Sequence, residues 1–310
     1  MKILFFAKGE DNPHWLRALQ HQLPDADIRL WDEKETDAAW QADYALVWKP
    51  PVEFFHGQHG LKAIINLGAG VDSILALQSR PADVPLLKLR DAGMAQWILD
   101  YVRYGLLHFG RDFDHYRQDQ VAKHWHPREI GSRRDWPLGI LGAGAIGAVV
   151  AETLASEGYP VRCWSRTPKQ LDGVESFAGP GQLADFLDGC RGLISILPAT
   201  RETRYLIGDD QLSRMQADGV VISCGRGEVF DEQALADRLR YGRLRGALLD
   251  VFHQEPLPAT SELWGLKNLI ITPHIAAPTP IVTAVEQIAG YIAQIENGEP
   301  VSLVDPALGY

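Results

Sequence analysis

Arg226, Glu255 and His274 stand in the segments Ser223-Cys224-Gly225-Arg226-Gly227, Asp250-Val251-Phe252-His253-Gln254-Glu255-Pro256 and Thr272-Pro273-His274, each following a strand-like apolar run. Reducing a carbonyl needs a hydride donor, a proton donor for the developing alkoxide, and positive charge to hold and polarise the substrate. These three side chains supply the last two. The histidine gives the proton, the glutamate holds the imidazole and favours its protonated form, and the guanidinium grips a carboxylate and the carbonyl oxygen. Taken singly, each has a plainer reading, a capped loop histidine and two surface charges. Placed after three successive strands, where open α/β sheets put their ligands, they read together as a catalytic set.

The hydride donor has its own signature. Residues 138–147 form a short apolar run that breaks into Gly142, Gly144 and Gly147 at G-x-G-x-x-G spacing, with Pro137 before it and helix formers after it. Gly142 lets the chain leave the strand in a tight turn, Gly144 lets backbone approach a pyrophosphate, and Gly147 lets helix and strand pack closely. Ala145, Ile146 and Gly147 then aim helix N-terminal N–H groups at the phosphates. About 20 residues further on, a strand of this type ends in Asp or Glu when it binds the ribose hydroxyls of NADH. Here it ends Cys163-Trp164-Ser165-Arg166-Thr167, without an acid. Arg166, flanked by the hydroxyls of Ser165 and Thr167 and helped by Lys169, suits a 2′-phosphate. NADPH is the expected cofactor, with NADH a poorer substitute.

The elements that must position these residues fall into two groups. From residue 1 to about 90, apolar runs at 2–6, 44–47 and 62–67 alternate with helix-like stretches at 13–23 and 71–77, which predicts a small, largely parallel α/β layer. A long helix is predicted over 95–117, with Trp97, Ile98, Tyr101, Val102, Leu106 and Phe109 as a stripe that is either core or interface. Residues 121–135 read as a polar loop, whose His124 and His126 have no acid or cysteine at ligand spacing, so no metal is expected. Strands are then predicted at 161–164, 192–197, 219–223, 246–251 and 269–271, giving a doubly wound sheet. A last helix over 279–297 has no strand after it and can return to the first domain.

The 310 residues suffice for two domains with real cores, and a net charge of −10 with scattered basic residues speaks against nucleic acid or an anionic membrane as partner. Cys163, Cys190 and Cys224 are too few and too isolated for a disulfide framework or a zinc site. No run approaches the ~20 apolar residues that span a bilayer. The opening Lys2-Ile3-Leu4-Phe5-Phe6 lacks the features of a signal peptide, so a cytoplasmic location is expected.

With its glycine fingerprint followed in order by Arg226, Glu255 and His274, the chain resembles the D-isomer-specific 2-hydroxyacid dehydrogenase family nearly end to end. Within it, Val47-Trp48-Lys49-Pro50-Pro51-Val52-Glu53, Leu67-Gly68-Ala69-Gly70-Val71-Asp72-Ser73-Ile74, residues 162–167 and the closing Gly309-Tyr310 are similar to members that reduce glyoxylate and hydroxypyruvate. The resemblance implies NADPH-dependent reduction of these small 2-oxo acids to glycolate and D-glycerate. It implies two doubly wound α/β domains, a Rossmann-type NADP-binding domain (97–280) inserted in a smaller flavodoxin-like substrate domain (1–96 and 281–310), with the active site between them. It assigns the backbone of Ala69, Gly70 and Val71 to the substrate carboxylate opposite Arg226, and Trp48 to the pocket wall. It assigns Asp250 to the nicotinamide carboxamide, Leu197 and Pro198 to the adenosine, and Cys224 and Gly225 to the cofactor. A homodimer is implied as well. Ser223 departs from the family's usual Asn and leaves the support of the Arg226 loop open. Two alternatives stand beside this reading: a nucleotide-sensing binding protein on the same scaffold, and a dehydrogenase of a bulkier 2-hydroxy acid.

Overall fold

The computed structural model describes residues 1–33 and 40–310. They divide into two compact units, Met1–Gly93 with Thr279–Tyr310, and Met94–Pro278. The divisions fall at Met94 and Thr279 rather than at 97 and 281. Asp91, Ala92 and Gly93 all have positive φ, at 58°, 49° and 88°, and this turn ends the first unit just before the helix Met94–Gly110 begins.

In the first unit, β1 (Lys2–Ala7), β2 (Asp27–Leu30), β3 (Tyr44–Trp48), β4 (Ala63–Asn66) and β5 (Leu86–Lys88) form a parallel sheet in the order β2-β1-β3-β4-β5. That is the flavodoxin-like order. Strands β2 and β5 escape the sequence pattern: β2 exposes most of its residues at the sheet edge, and β5 has only three. The helix Ile281–Glu296 belongs to this unit, and its Glu296 Oε1 accepts from Tyr44 Oη and Lys62 Nζ, each at 2.6 Å.

The second unit carries β6 (Leu138–Leu141), β7 (Val161–Ser165), β8 (Val174–Ala178), β9 (Gly192–Ser195), β10 (Val220–Ser223), β11 (Gly246–Leu249) and β12 (Leu269–Ile271), all parallel, in the order β12-β11-β10-β9-β6-β7-β8. The chain starts in the middle at β6, runs outward to β8, then returns to β9 on the other side of β6. The switch point lies between β6 and β9, where doubly wound sheets bind their ligands. Both faces of the central strands are covered, so β6, β9, β10 and β11 are apolar and fully buried but for the serines that end β9 and β10. Ile140, Ile194, Ile222 and Leu248 face the helix Met94–Gly110, while Leu141, Leu193, Val221 and Ala247 pack with Phe186, Leu235 and Leu239 on the opposite face.

The predicted single helix over 95–117 is instead two helices, Met94–Gly110 and Phe113–Ala122. Asp112 breaks it in a left-handed conformation at φ 56°, and its carboxylate and that of Asp114 are drawn onto Arg245 Nη2 at 2.5 and 2.7 Å. The second helix therefore takes the first residues of the predicted 121–135 loop, and a further turn of 3-10 helix at Arg133–Asp135 closes it. Of the apolar stripe, Ile98, Val102, Leu106 and Phe109 are core, whereas Trp97 is half-exposed at 50%. Strand β8, absent from the sequence pattern, is a partly exposed edge.

Candidate active site

The strand ends of the second sheet are level. Leu141 pairs with Ser195, Ser195 with Ser223, Ser223 with Leu249, and Leu249 with Ile271. Every loop leaving these ends therefore starts from the same edge, which is how residues tens of positions apart in sequence reach one site.

The glycine turn after β6 is built as its spacing requires. Gly142 has φ 102°, and a Cβ on Gly147 would lie 1.8 Å from the Gly142 carbonyl oxygen. The helix Ala145–Ser156 can start this close to the strand only with glycine there. A Cβ on Gly144 would meet nothing within 4 Å, and no side chain caps the helix. The first-turn N–H groups, from Ala145, Ile146 and Gly147, therefore face an open space of the kind a pyrophosphate fills. These residues fit a dinucleotide.

At the end of β7, Arg166, Thr167 and Lys169 are exposed and no acid is present. Ser165 differs from its expected role. It is buried, at 8%, and its hydroxyl donates to the Thr167 carbonyl at 2.8 Å, so it shapes the turn instead of offering its proton outward. Lys169 is anchored through its main chain, whose N–H donates to Ser176 Oγ at 2.9 Å.

Two further glycines explain how the Arg226 loop is placed. A Cβ on Gly225 would lie 2.5 Å from the Leu197 carbonyl oxygen, and one on Gly227 would lie 2.2 Å from the Phe252 carbonyl carbon. The loop thus nests against main chain on both sides, carrying half-buried Arg226 in extended backbone, with Nη1 donating to the Gly225 carbonyl at 2.8 Å. Leu197 is buried and Pro198 half-buried beside it. The Ser223 question resolves through the backbone: its hydroxyl has no hydrogen-bond partner among the described residues, and support comes from Cys224 N–H to the Ser195 carbonyl at 3.0 Å and Asp250 N–H to the Ser223 carbonyl at 2.9 Å.

Glu255 and His274 come together. Glu255 Oε1 accepts from the Phe252 N–H at 3.1 Å and Oε2 lies 2.7 Å from His274 Nδ1. A carboxylate only accepts, so Nδ1 carries its hydrogen and Nε2 is the ring nitrogen turned away from Glu255. His274 is held in the left-handed region, at φ 56°, with its N–H donating to the Asp250 carbonyl at 2.9 Å.

Asp250, only 1% exposed, is engaged within the protein. Its Oδ1 accepts from Thr272 Oγ1 at 2.6 Å and from the Ile275 N–H at 2.8 Å, and Oδ2 accepts from the Ala276 N–H at 2.8 Å. It organises the turn that carries His274. That role was not visible in the sequence, although Thr272, two residues before the histidine, is the kind of short hydroxyl residue that bonds nearby chain.

In the first unit, Trp48 ends β3 and its ring lies 2.5 Å from where a Gly68 Cβ would be. The turn over Ala69, Gly70 and Val71 is shaped by Asn66, fully buried, whose Nδ2 donates to the carbonyls of Gly68 at 2.9 Å and Gly70 at 2.8 Å. Asn66 is a site-shaping residue the motif reading missed. An Asn that bonds its own chain a few residues on is a recognisable turn former.

His124 and His126 are exposed, and the metal-like group found among the described residues is elsewhere, at Asp112, Asp114 and His115. Arg245 already pairs with both of those carboxylates.

The sheet order and the fingerprint turn define a dinucleotide-binding protein with a Rossmann domain and a second α/β domain. A sequence model of the D-isomer specific 2-hydroxyacid dehydrogenase NAD-binding domain matches residues 104–276. A D-isomer specific 2-hydroxyacid dehydrogenase from Xanthobacter autotrophicus Py2, solved with NADPH and MES, is 40% identical with TM-score 0.95, over 100% of this chain and 99% of that one. The NADPH-dependent glyoxylate/hydroxypyruvate reductase of Sinorhizobium meliloti, solved with NADP and sulfate, is 30% identical with TM-score 0.93, over 100% and 99%. A probable 2-hydroxyacid dehydrogenase from Rhizobium etli CFN 42, solved with NADP, HEPES and L(+)-tartaric acid, is 31% identical with TM-score 0.88, over 100% and 99%. The chain belongs to the D-isomer-specific 2-hydroxyacid dehydrogenase family and is an oxidoreductase. No helix among the described residues is long and apolar enough to cross a membrane.

Proposed function

We propose that the protein reduces small 2-oxo acids, glyoxylate and hydroxypyruvate among them, to the corresponding 2-hydroxy acids with NADPH. The observation that carries this reading is the 2.7 Å contact between His274 Nδ1 and Glu255 Oε2, on loops that leave the same sheet edge as Arg226 and the glycine turn. NADPH, when bound, supplies the hydride to the carbonyl carbon. Arg226 binds the substrate carboxylate and polarises the carbonyl, its planar fork suiting two parallel hydrogen bonds. The resemblance to the family supports giving the backbone N–H groups at Gly70 and Val71 to the substrate carboxylate and Trp48 to the pocket wall. As the carbonyl oxygen gains negative charge, His274 Nε2 delivers its proton, and Glu255 stabilises the ring while it is charged.

The preference for NADPH over NADH is supported by Arg166, Thr167 and Lys169, which lie exposed at the end of β7 with no acid among them, and by the NADP(H) bound in the Xanthobacter and Sinorhizobium relatives. The same reading takes the protein as a cytoplasmic homodimer, supported by the exposed Trp97, Tyr104 and Leu107 on the helix Met94–Gly110. The test is loss of NADPH absorbance with purified protein across glyoxylate, hydroxypyruvate and bulkier 2-oxo acids, repeated with NADH. Turnover highest with the two small acids and NADPH is the expected result. NADPH binding without turnover of any of them would point to a nucleotide-sensing protein, and preference for a bulky acid would overturn the substrate assignment.

A further inference from the structure

Asp250, the carboxylate that organises the His274 turn, is itself tied to a helix on the sheet's face. Thr272 Oγ1 stands 2.6 Å from Asp250 Oδ1 and 2.7 Å from Tyr101 Oη, on the helix Met94–Gly110. The direction of this chain follows from its end. A carboxylate receiving two N–H groups and a hydroxyl only accepts, so Thr272 donates to Asp250 and must accept from Tyr101. Burial, with Asp250 nearby, pushes the Tyr101 hydroxyl well above the ordinary phenol range, so it keeps the proton this chain requires.

We propose that Tyr101 and Thr272 are positioning residues for His274, acting through Asp250. The two hydroxyls in series fix the buried carboxylate, and the carboxylate fixes the main chain of residues 274–276 through Ile275 and Ala276 while its own carbonyl accepts from His274 N–H at 2.9 Å. His274 sits in the left-handed region, uncommon for any residue but glycine although histidine visits it more often than most, and its surroundings must hold it there. The Glu255 contact orients the ring from one end, and the Tyr101–Thr272–Asp250 chain holds the backbone from the other. The inference rests on the assignment of His274 as proton donor.

Thr272→Val keeps the shape but removes the hydroxyl, Thr272→Ser restores it, and Tyr101→Phe removes the far end of the chain. A misplaced catalytic group loses turnover rather than substrate affinity, so Thr272→Val is expected to lower kcat for glyoxylate about tenfold with both KM values within about twofold of the parent. Thr272→Ser recovers most of the loss. Tyr101→Phe falls in the same direction by less, because Thr272 can still donate to Asp250. A second readout needs no turnover: the His274 ring resonance in proton–carbon NMR, identified by its loss in His274→Ala, shifts at fixed pH in Thr272→Val and returns in Thr272→Ser. Parental kcat and an unmoved resonance in Thr272→Val overturn the proposal. So does equal impairment of the Val and Ser variants, which would show that any substitution at this position, and not loss of the hydroxyl, impairs turnover. If Thr272→Val does not fold, Tyr101→Phe at unchanged Tm decides by the same two readouts. If the parent turns over no 2-oxo acid while the resonance still moves in Thr272→Val and returns in Thr272→Ser, the proposed function fails and the positioning chain stands.

Discussion

Glu255 bridges two loops of the site: one carboxylate oxygen accepts from the Phe252 N–H at 3.1 Å and the other lies 2.7 Å from His274 Nδ1. The ring is thereby turned so that Nε2 faces away from the carboxylate. Replacing Glu255 by Gln keeps the shape but removes the charged acceptor that holds Nδ1. A ring held less firmly delivers its proton less well, so kcat for glyoxylate should fall roughly tenfold while KM stays within about twofold of the parent's. Parental kcat in Glu255→Gln, with turnover lost in His274→Ala, removes Glu255 from its role and leaves His274 in its own.

Arg226→Lys retains positive charge but loses the planar fork, and the flanking glycines hold the loop too closely for a compensating shift. Losing one charge-assisted hydrogen bond of about 1.5–3 kcal/mol corresponds to a fall in kcat/KM of roughly ten- to a hundredfold. NADPH affinity, read by fluorescence, should stay near the parent's. Activity within about twofold of the parent would take Arg226 out of the site.

Arg166 is exposed on the turn after β7, in a segment (161–171) whose sequence carries no acid, and Arg166→Asp is expected to act on cofactor choice. The ratio of kcat/KM for NADPH over NADH should fall at least about tenfold, equivalent to ~1.4 kcal/mol of differential binding. Equal losses with both cofactors would make the role of Arg166 structural.

The two glycines that open the helix Ala145–Ser156 should separate cleanly. Gly144→Ala places a Cβ in open space at φ −77°, so Tm should hold while NADPH affinity drops, because the methyl occupies the place of the phosphates. Gly147→Ala drives a methyl to 1.8 Å from the Gly142 carbonyl oxygen, so Tm should fall even though alanine is the better helix former by about 1 kcal/mol. Identical Tm values for the two variants would contradict this packing.

Cys163, Cys190 and Cys224 are buried, and burial pushes all three thiols up, Cys190 to about 11 and Cys224, which also feels Asp250, further still. Since the thiolate is the reactive form, the folded protein should resist iodoacetamide at mildly alkaline pH, and denaturant should expose all three. Rapid labelling of the native protein would show that one of these elements opens readily.

The glycine spacing, the missing acid after β7 and the three charged residues following β10, β11 and β12 were legible in the chain because each depends on local chemistry. A tight turn needs glycine, a phosphate site needs free N–H groups, and an apolar run of four or five residues ending in a polar one is a buried strand wherever it occurs. The break at Asp112 was not legible, since it depends on Arg245 drawing in two carboxylates from more than a hundred residues away. Edge strands β2, β5 and β8 were missed because a short or partly solvated strand leaves little apolar pattern to read. The sequence by itself determined which groups could carry the chemistry and in which order they leave the sheet. Only the tertiary structure decided that Ser165 turns inward, that Asn66 shapes the 68–70 turn, and that Asp250 holds the His274 turn with Tyr101 and Thr272 behind it. The physical reasons differ: Ser165 and Asn66 bond chain two to four residues away, but burial by the surrounding sheet decides that their polar groups turn inward, whereas the Tyr101–Thr272–Asp250 chain joins residues whose separation along the sequence carries no local signal.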